Sequence, residues 1–197
     1  MSFDIYVHTI VVYLFLRYPH FIKILTGITM DVLSAIKNRK SIRDFVDKQV
    51  SPQSIHDVLD AARWAPSGAN TQPWQVAVVT GETKTNLCLA LAAAFQSNSP
   101  SNADYKYYAS PVEEPYLGRQ RRCGAALYGA LGISRQDKEQ RRVQWLKNYF
   151  AFDAPVILFI FINSGLEKGS WVEMGMFIQN IMLAARGHGG THAGQRA

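Results

Sequence analysis

Arg39, Lys40, Ser41 and Arg43 place two guanidinium groups four positions apart with a hydroxyl and an ammonium between them. A guanidinium fork presents paired N–H donors that match phosphate oxygens, and a hydroxyl adds one more, so the set has the chemistry of a phosphate clamp. The same residues also describe a solvated basic helix end, where the C-terminal dipole favours cations. Spacing leaves both readings open. A second group, Pro66, Ser67, Gly68, Asn70 and Gln72, crowds backbone N–H groups and two side-chain amides between a helix end and a strand. Mixed donor and acceptor edges of this kind hold heteroaromatic rings. They are equally the make-up of a proline-bracketed turn.

Other chemistry is scarce. No glycine-rich dinucleotide fingerprint, phosphate loop, Gly-x-Ser-x-Gly elbow or His-Glu-x-x-His pair occurs. Cys88 and Cys123 stand far apart without a Cys-x-x-Cys pair, which excludes a disulfide scaffold and the usual structural zinc site. They read as small packing residues in a reducing, cytoplasmic setting. His188 and His192 have i,i+4 spacing, but the glycines around them argue against the helix a metal pair would need, so no metal site is expected. The chain has 197 residues, of which 48% are hydrophobic and 18% charged, with a net charge of +6. That composition fits one globular domain and disfavours long disorder. The basic balance rests on scattered arginines with no nucleic-acid-binding module, so no nucleic acid is expected as partner.

Several elements must position the candidate residues. Asp31 opens a short helix in which Val32, Leu33 and Ile36 share a face and which runs into residues 39–43, so both guanidinium groups project from one helical face. Ser51 caps a second helix with Pro52 at its first position, and Ile55, Val58, Leu59 and Ala62 follow helical spacing. Residues 73–80 are rich enough in β-branched side chains to form a strand, and Leu87, Leu91, Ala94 and Phe95 mark a third helix. A polar loop over 96–116 is long enough to be functional, and helices over 119–131 and 137–150 follow it. Residues 155–162 form an uninterrupted apolar run, the pattern of a central strand covered on both faces. Ser170 and Glu173 form a capping box for a helix through Ala185 that is apolar nearly all round, hence buried on every side, against a sheet and something else such as a second subunit. Helices interleaved with few strands make an α+β domain, although two strands cannot complete a sheet.

The apolar stretch over 5–25 is interrupted by Arg17, Pro19, His20 and Lys23 and is too short for a membrane span. Residues 1–29 read as an extension of uncertain status, either an upstream addition or an interfacial helix. Residues 187–197 carry no large apolar side chain and read as an irregular tail.

The Arg-x-Ser-x-Arg opening followed by Ala65-Pro-Ser-Gly-x-Asn-Thr-Gln-Pro-Trp74 resembles the FMN-dependent nitroreductase family, in particular its branch similar to nitrobenzoate reductases. Glu114-Pro-Tyr, Arg121-Arg-Cys-Gly, Leu127-Tyr-Gly, Ala154-Pro-Val and Gly175-Met-Phe-Ile-Gln-Asn through Arg186 look like the same branch in the same order. The resemblance covers residues 30–186, a nitroreductase-like domain. It implies an α+β fold with a small, mostly antiparallel sheet flanked by helices and a central helix buried at a homodimer interface. It further implies a ping-pong transfer of hydride from NAD(P)H through FMN to a nitroaromatic or quinone-like acceptor. Carried over by position, Arg39, Ser41 and Arg43 would hold the FMN phosphate and its ribityl or ring edge, with Lys40 lending backbone contact and charge. Pro66, Ser67, Gly68 and Asn70, with Gln72 as a weaker candidate, would line the ring from the partner subunit. The family's chemistry requires no side-chain acid, base or nucleophile, so no catalytic residue is assigned. Family members continue past the 170–186 helix through further elements that contact the flavin. The chain is therefore expected to be truncated there, and residues 187–197 read like that region shifted out of frame. The alternative is a non-catalytic, flavin-binding or interaction remnant of the family.

Overall fold

Among the described residues the α-helices and strands run β1 (Val7–Leu16), α1 (Val32–Asn38), α2 (Pro52–Ala62), β2 (Trp74–Thr80), α3 (Gly81–Gln96), α4 (Tyr116–Ala130), α5 (Lys138–Leu146), β3 (Val156–Asn163), α6 (Lys168–Gly187) and β4 (Gly190–Gln195), with short 3-10 helices at Gly68–Asn70 and Ala151–Asp153. They are those of a computed structural model that describes residues 7–16, 30–46, 48–100, 103–187 and 190–195. The sheet runs β2-β3-β1-β4, and every neighbouring pair is antiparallel. The α+β class and the small antiparallel sheet expected from the sequence are both present.

β3 is the strand around which the rest is built. Val156, Leu158, Ile160 and Ile162 are at most 1% exposed and pack with Val58 of α2 and Met174, Phe177 and Ile181 of α6. Ile157 belongs to a second cluster with Phe45, Cys88 of α3 and Phe152. An apolar run without alternation is what a strand covered on both faces requires. Next to it, the Trp74 ring lies flat on Phe177, with centroids 4.7 Å apart and planes within 6°.

α2 shows how local chemistry sets an element. The Ser51 hydroxyl accepts from the Ser54 backbone N–H at 3.1 Å, Pro52 occupies the first turn, and Ile55, Val58 and Ala62 turn inward. Because the cap satisfies a helix donor left without a carbonyl, Ser51→Ala is expected to lower stability by about 1 kcal/mol in urea denaturation. Ser51→Asp should restore it.

The structure departs from the sequence reading at several places. First, α1 stops at Asn38, and Arg39 is extended, with φ −65° and ψ 128°. Residues 39–43 therefore leave the helix, as Ile42 and Phe45 are drawn into the cluster on the α3 side. Val32, Leu33 and Ile36 are exposed, and Ala35 is the buried residue of α1. Second, residues 7–16, set apart as part of an extension, form β1 between β3 and β4, as their β-branched and aromatic content suits. Third, the expected tail over 187–197 contains β4, an edge strand on β1 from Val11↔Gln195 to Leu16↔Gly190. Backbone pairing needs no large side chain, which is why a glycine-rich segment can supply it. His192 lies in that strand, and His188 lies outside the described residues. Fourth, α6 is not enclosed on every side: Val172 is 67% and Met176 36% exposed. Fifth, the middle helices shift. α4 begins at Tyr116, where the Glu114 carboxylate accepts from the Gly118 N–H at 3.0 Å, and α5 ends at Leu146. No described helix is long and apolar enough to cross a membrane.

Candidate functional site

The 66–72 segment turns sharply between α2 and β2. Ala69, Asn70 and Gln72 have φ of 49°, 56° and 45°, three non-glycine residues in the left-handed region within four positions. Each such residue costs on the order of 1 kcal/mol, so the conformation persists only where contacts over-determine it. The contacts are on hand. The Ser67 hydroxyl accepts from the Gln72 N–H at 2.9 Å, and the Ser67 and Gly68 carbonyls accept from Asn70 N–H and Thr71 N–H at 3.0 and 3.1 Å. Gln72 Nε2 donates to Asn70 Oδ1 at 3.1 Å. That bond orients both amides and leaves Asn70 Nδ2 as a donor and Gln72 Oε1 as an acceptor. Pro66, Gly68, Asn70 and Gln72 are all exposed, so the edge they form is open to a ligand.

Among the described residues one hydrogen bond ties this loop to the body. The Glu173 carboxylate, on α6, accepts from the Gly68 N–H at 2.7 Å through Oε1. Sequence reasoning placed Glu173 in a capping box with Ser170. α6 instead begins two residues earlier, the Ser170 N–H donates to the Glu167 carbonyl at 3.0 Å, and the Glu173 side chain leaves the helix for the loop. No local pattern distinguishes the two uses of a glutamate in a first turn, so this residue could be found only from tertiary structure.

Arg39, Lys40, Ser41 and Arg43 lie outside any helix or strand, on the stretch that leads from α1, packed beside α6, to Phe45 on the α3 side of the sheet. Among the described residues the ion pairs are His56–Asp57 and Arg63–Asp60, and neither engages this stretch. Arg43 Nη1 donates to the Ser41 carbonyl at 3.5 Å. Among the described residues the three cations are thus uncommitted to any carboxylate, which suits them to an anion brought by a ligand. The donor set fits a phosphate, and the open amide edge of 66–72 fits a heteroaromatic ring, the two parts of a flavin mononucleotide. No hydrogen bond among the described residues joins the two segments within one chain.

Elsewhere, Cys88 is 3% exposed and burial pushes its thiol above the usual range, an environment that keeps it an inert packing group, whereas Cys123 is exposed. Tyr105 meets Trp171 edge-on at 4.8 Å beside the start of α6. A trough of about 890 Å³ lies between α4 and α5, lined by Arg121, Tyr128, Arg135 and Arg141 among others, and includes none of the candidate ligand-binding residues.

Comparison with known proteins places the chain in a family. The sequence pattern of the nitroreductase family matches residues 36–190. A nitrobenzene nitroreductase of Ectopseudomonas oleovorans is 39% identical over 156 residues, 78% of this chain and 68% of that protein. A 4-nitrobenzoate reductase of Pseudomonas putida is 37% identical over 163 residues, 82% of this chain and 70% of that protein. The crystal structure of an FMN-dependent nitroreductase from Mycobacterium smegmatis in complex with NADPH superposes with a TM-score of 0.76 at 30% identity, covering 81% of this chain and 73% of that one. With the match spanning most of the chain and both candidate segments, the protein belongs to the nitroreductase family.

Proposed function

We propose that this chain binds FMN and uses it to carry hydride from NAD(P)H to nitroaromatic or related electrophilic acceptors, in a ping-pong order in which donor and acceptor use one site in turn. The observation that carries the reading is the 66–72 loop, strained at three residues and presenting an open donor and acceptor edge. When bound, FMN supplies the hydride chemistry. The chain's residues hold and orient it. Arg39, Lys40 and Arg43 offer uncommitted positive charge to a phosphate, with Ser41 as a hydroxyl donor. Pro66, Ser67, Gly68 and Asn70 line a ring edge, and Gln72 supports it by fixing the Asn70 amide. No acid, base or nucleophile is assigned.

A homodimer would complete the site, with 66–72 of one protomer facing 39–43 of its partner. Val32, Leu33, Ile36, Trp64, Val172 and Met176 support this. All are at least 36% exposed, and they lie on or beside α1, α2 and α6, of which α1 and α2 both pack against α6. Apolar side chains grouped in this way mark an interaction face. A cytoplasmic setting fits the use of NAD(P)H and two free cysteines.

The test is to purify the protein without added flavin, record its visible spectrum and its mass in solution, then follow NADH and NADPH oxidation with 4-nitrobenzoate as acceptor. Flavin absorption in a dimer with acceptor-dependent oxidation is expected. Flavin without turnover would favour a non-catalytic flavin-binding chain, and no flavin even after adding FMN would overturn the cofactor assignment.

A further inference from the structure

We infer that Glu173 is a positioning residue that holds the 66–72 loop in its ligand-ready conformation, an inference that rests on that loop being the flavin-binding edge proposed above. Three observations converge on it. Among the described residues, the Gly68 N–H to Glu173 Oε1 bond at 2.7 Å is the one hydrogen bond leading out of residues 66–72. The approach is close enough that a Cβ on Gly68 would lie 3.1 Å from the same oxygen, so glycine there is matched to the carboxylate. Glu173 is also set in α6, two turns of which, through Met174, Phe177 and Ile181, are locked into the core against β3.

The physical consequence is a division of labour. Bonds within the loop, from Ser67 to Gln72 and from Gln72 to Asn70, define its shape, and Glu173 fixes that shape to the body. A charged acceptor makes a stronger bond to a backbone N–H than a neutral one, which suits a single tether holding three left-handed residues. Without it, only the bonds within the loop oppose relaxation of Ala69, Asn70 and Gln72, so the loop opens more often and a ligand must order it before it binds. The other carboxylate oxygen, Oε2, is enclosed and has no hydrogen-bond partner among the described residues. A buried acceptor left without a donor is normally avoided, so Glu173 occupies this site at a cost that its bond to Gly68 must offset.

The experiment compares wild type, Glu173→Ala and Glu173→Gln by amide hydrogen exchange without flavin and by fluorescence titration with FMN. Glu173→Gln keeps an acceptor oxygen for the Gly68 N–H, and Glu173→Ala removes it. In Glu173→Ala, exchange across 67–72 should accelerate about tenfold or more while β3 amides stay protected, since the opening is local. Its dissociation constant for FMN should rise about tenfold, the worth of one charge-assisted hydrogen bond. Glu173→Gln should stay within about threefold of wild type in both readouts. Unchanged exchange and affinity in Glu173→Ala would overturn the inference, as would loss of β3 protection in both variants, which would make Glu173 a general fold residue. If wild type itself takes up no FMN, the cofactor assignment fails, and the exchange comparison still judges the tether by itself.

Discussion

Changing both Arg39 and Arg43 to alanine should weaken FMN binding by on the order of a hundredfold or more, against about tenfold for either change alone. A hydrogen bond from a charged donor to phosphate contributes about 1.5 to 3 kcal/mol, and each 1.4 kcal/mol is a factor of ten, so two such groups account for the product. Folding should survive the double change. Neither side chain is in an ion pair among the described residues, and the bond from Arg43 to the Ser41 carbonyl is long at 3.5 Å. The two single lysine variants should fall between, because an ammonium keeps the charge but loses the planar fork. Affinity should also fall as salt rises in wild type and less steeply in the double variant, since screening acts on the charges that were removed. Titration of the apoprotein with FMN at two ionic strengths measures both effects. A double variant within threefold of wild type would show that the phosphate is held elsewhere.

Ile160→Asp should abolish the native fold. Ile160 is fully enclosed in the cluster formed by α2, β3 and α6. An unpaired carboxylate there costs several kcal/mol in desolvation besides the lost apolar contact, which is most of the 5 to 15 kcal/mol by which a domain of this size is stable. Leu158→Ala, with the same enclosure, should fold but lose about 2 to 5 kcal/mol. Val78 pairs with Leu158 across the sheet yet is 42% exposed, so Val78→Thr should stay within about 0.5 kcal/mol of wild type. Circular dichroism and urea denaturation distinguish the three. A cooperative, native-like transition in Ile160→Asp would contradict the enclosed core.

Elements whose chemistry is local were legible in the sequence. α2 begins at its cap and proline as read, β2 and β3 fall within a residue of their expected spans, and the unalternating apolar run of β3 correctly signalled cover on both faces. The misreadings share a cause. Whether α1 ends at Asn38 depends on Ile42 and Phe45 finding a cluster built from α3 and β3, and nothing near Arg39 records that. β4 carries almost no propensity for a strand and exists through pairing with β1. The two ligand segments were visible as residue types because arginines, amides and glycine at close spacing are chemically conspicuous. Glu173 was misassigned because its partner, Gly68, lies far away in sequence, and a short-range partner, Ser170, was available on paper.

The sheet order also governs when the fold can form. Val7 pairs with Asn163 and Trp74 with Ile162, so among the described residues no strand pairs with one close to it in sequence. Each pairing must close a long stretch of chain, and such contact order slows folding because the closure entropy is spent before the contact is made. During synthesis β1 and β2 emerge long before β3, and their paired state waits on a segment made late. A newly made chain thus holds unpaired strand edges until β3 is made, the condition under which strands join the wrong partners. Chaperone capture of the chain ahead of β3 should therefore improve the soluble yield more than any change at the ligand-binding loop, and slow elongation there should lower it.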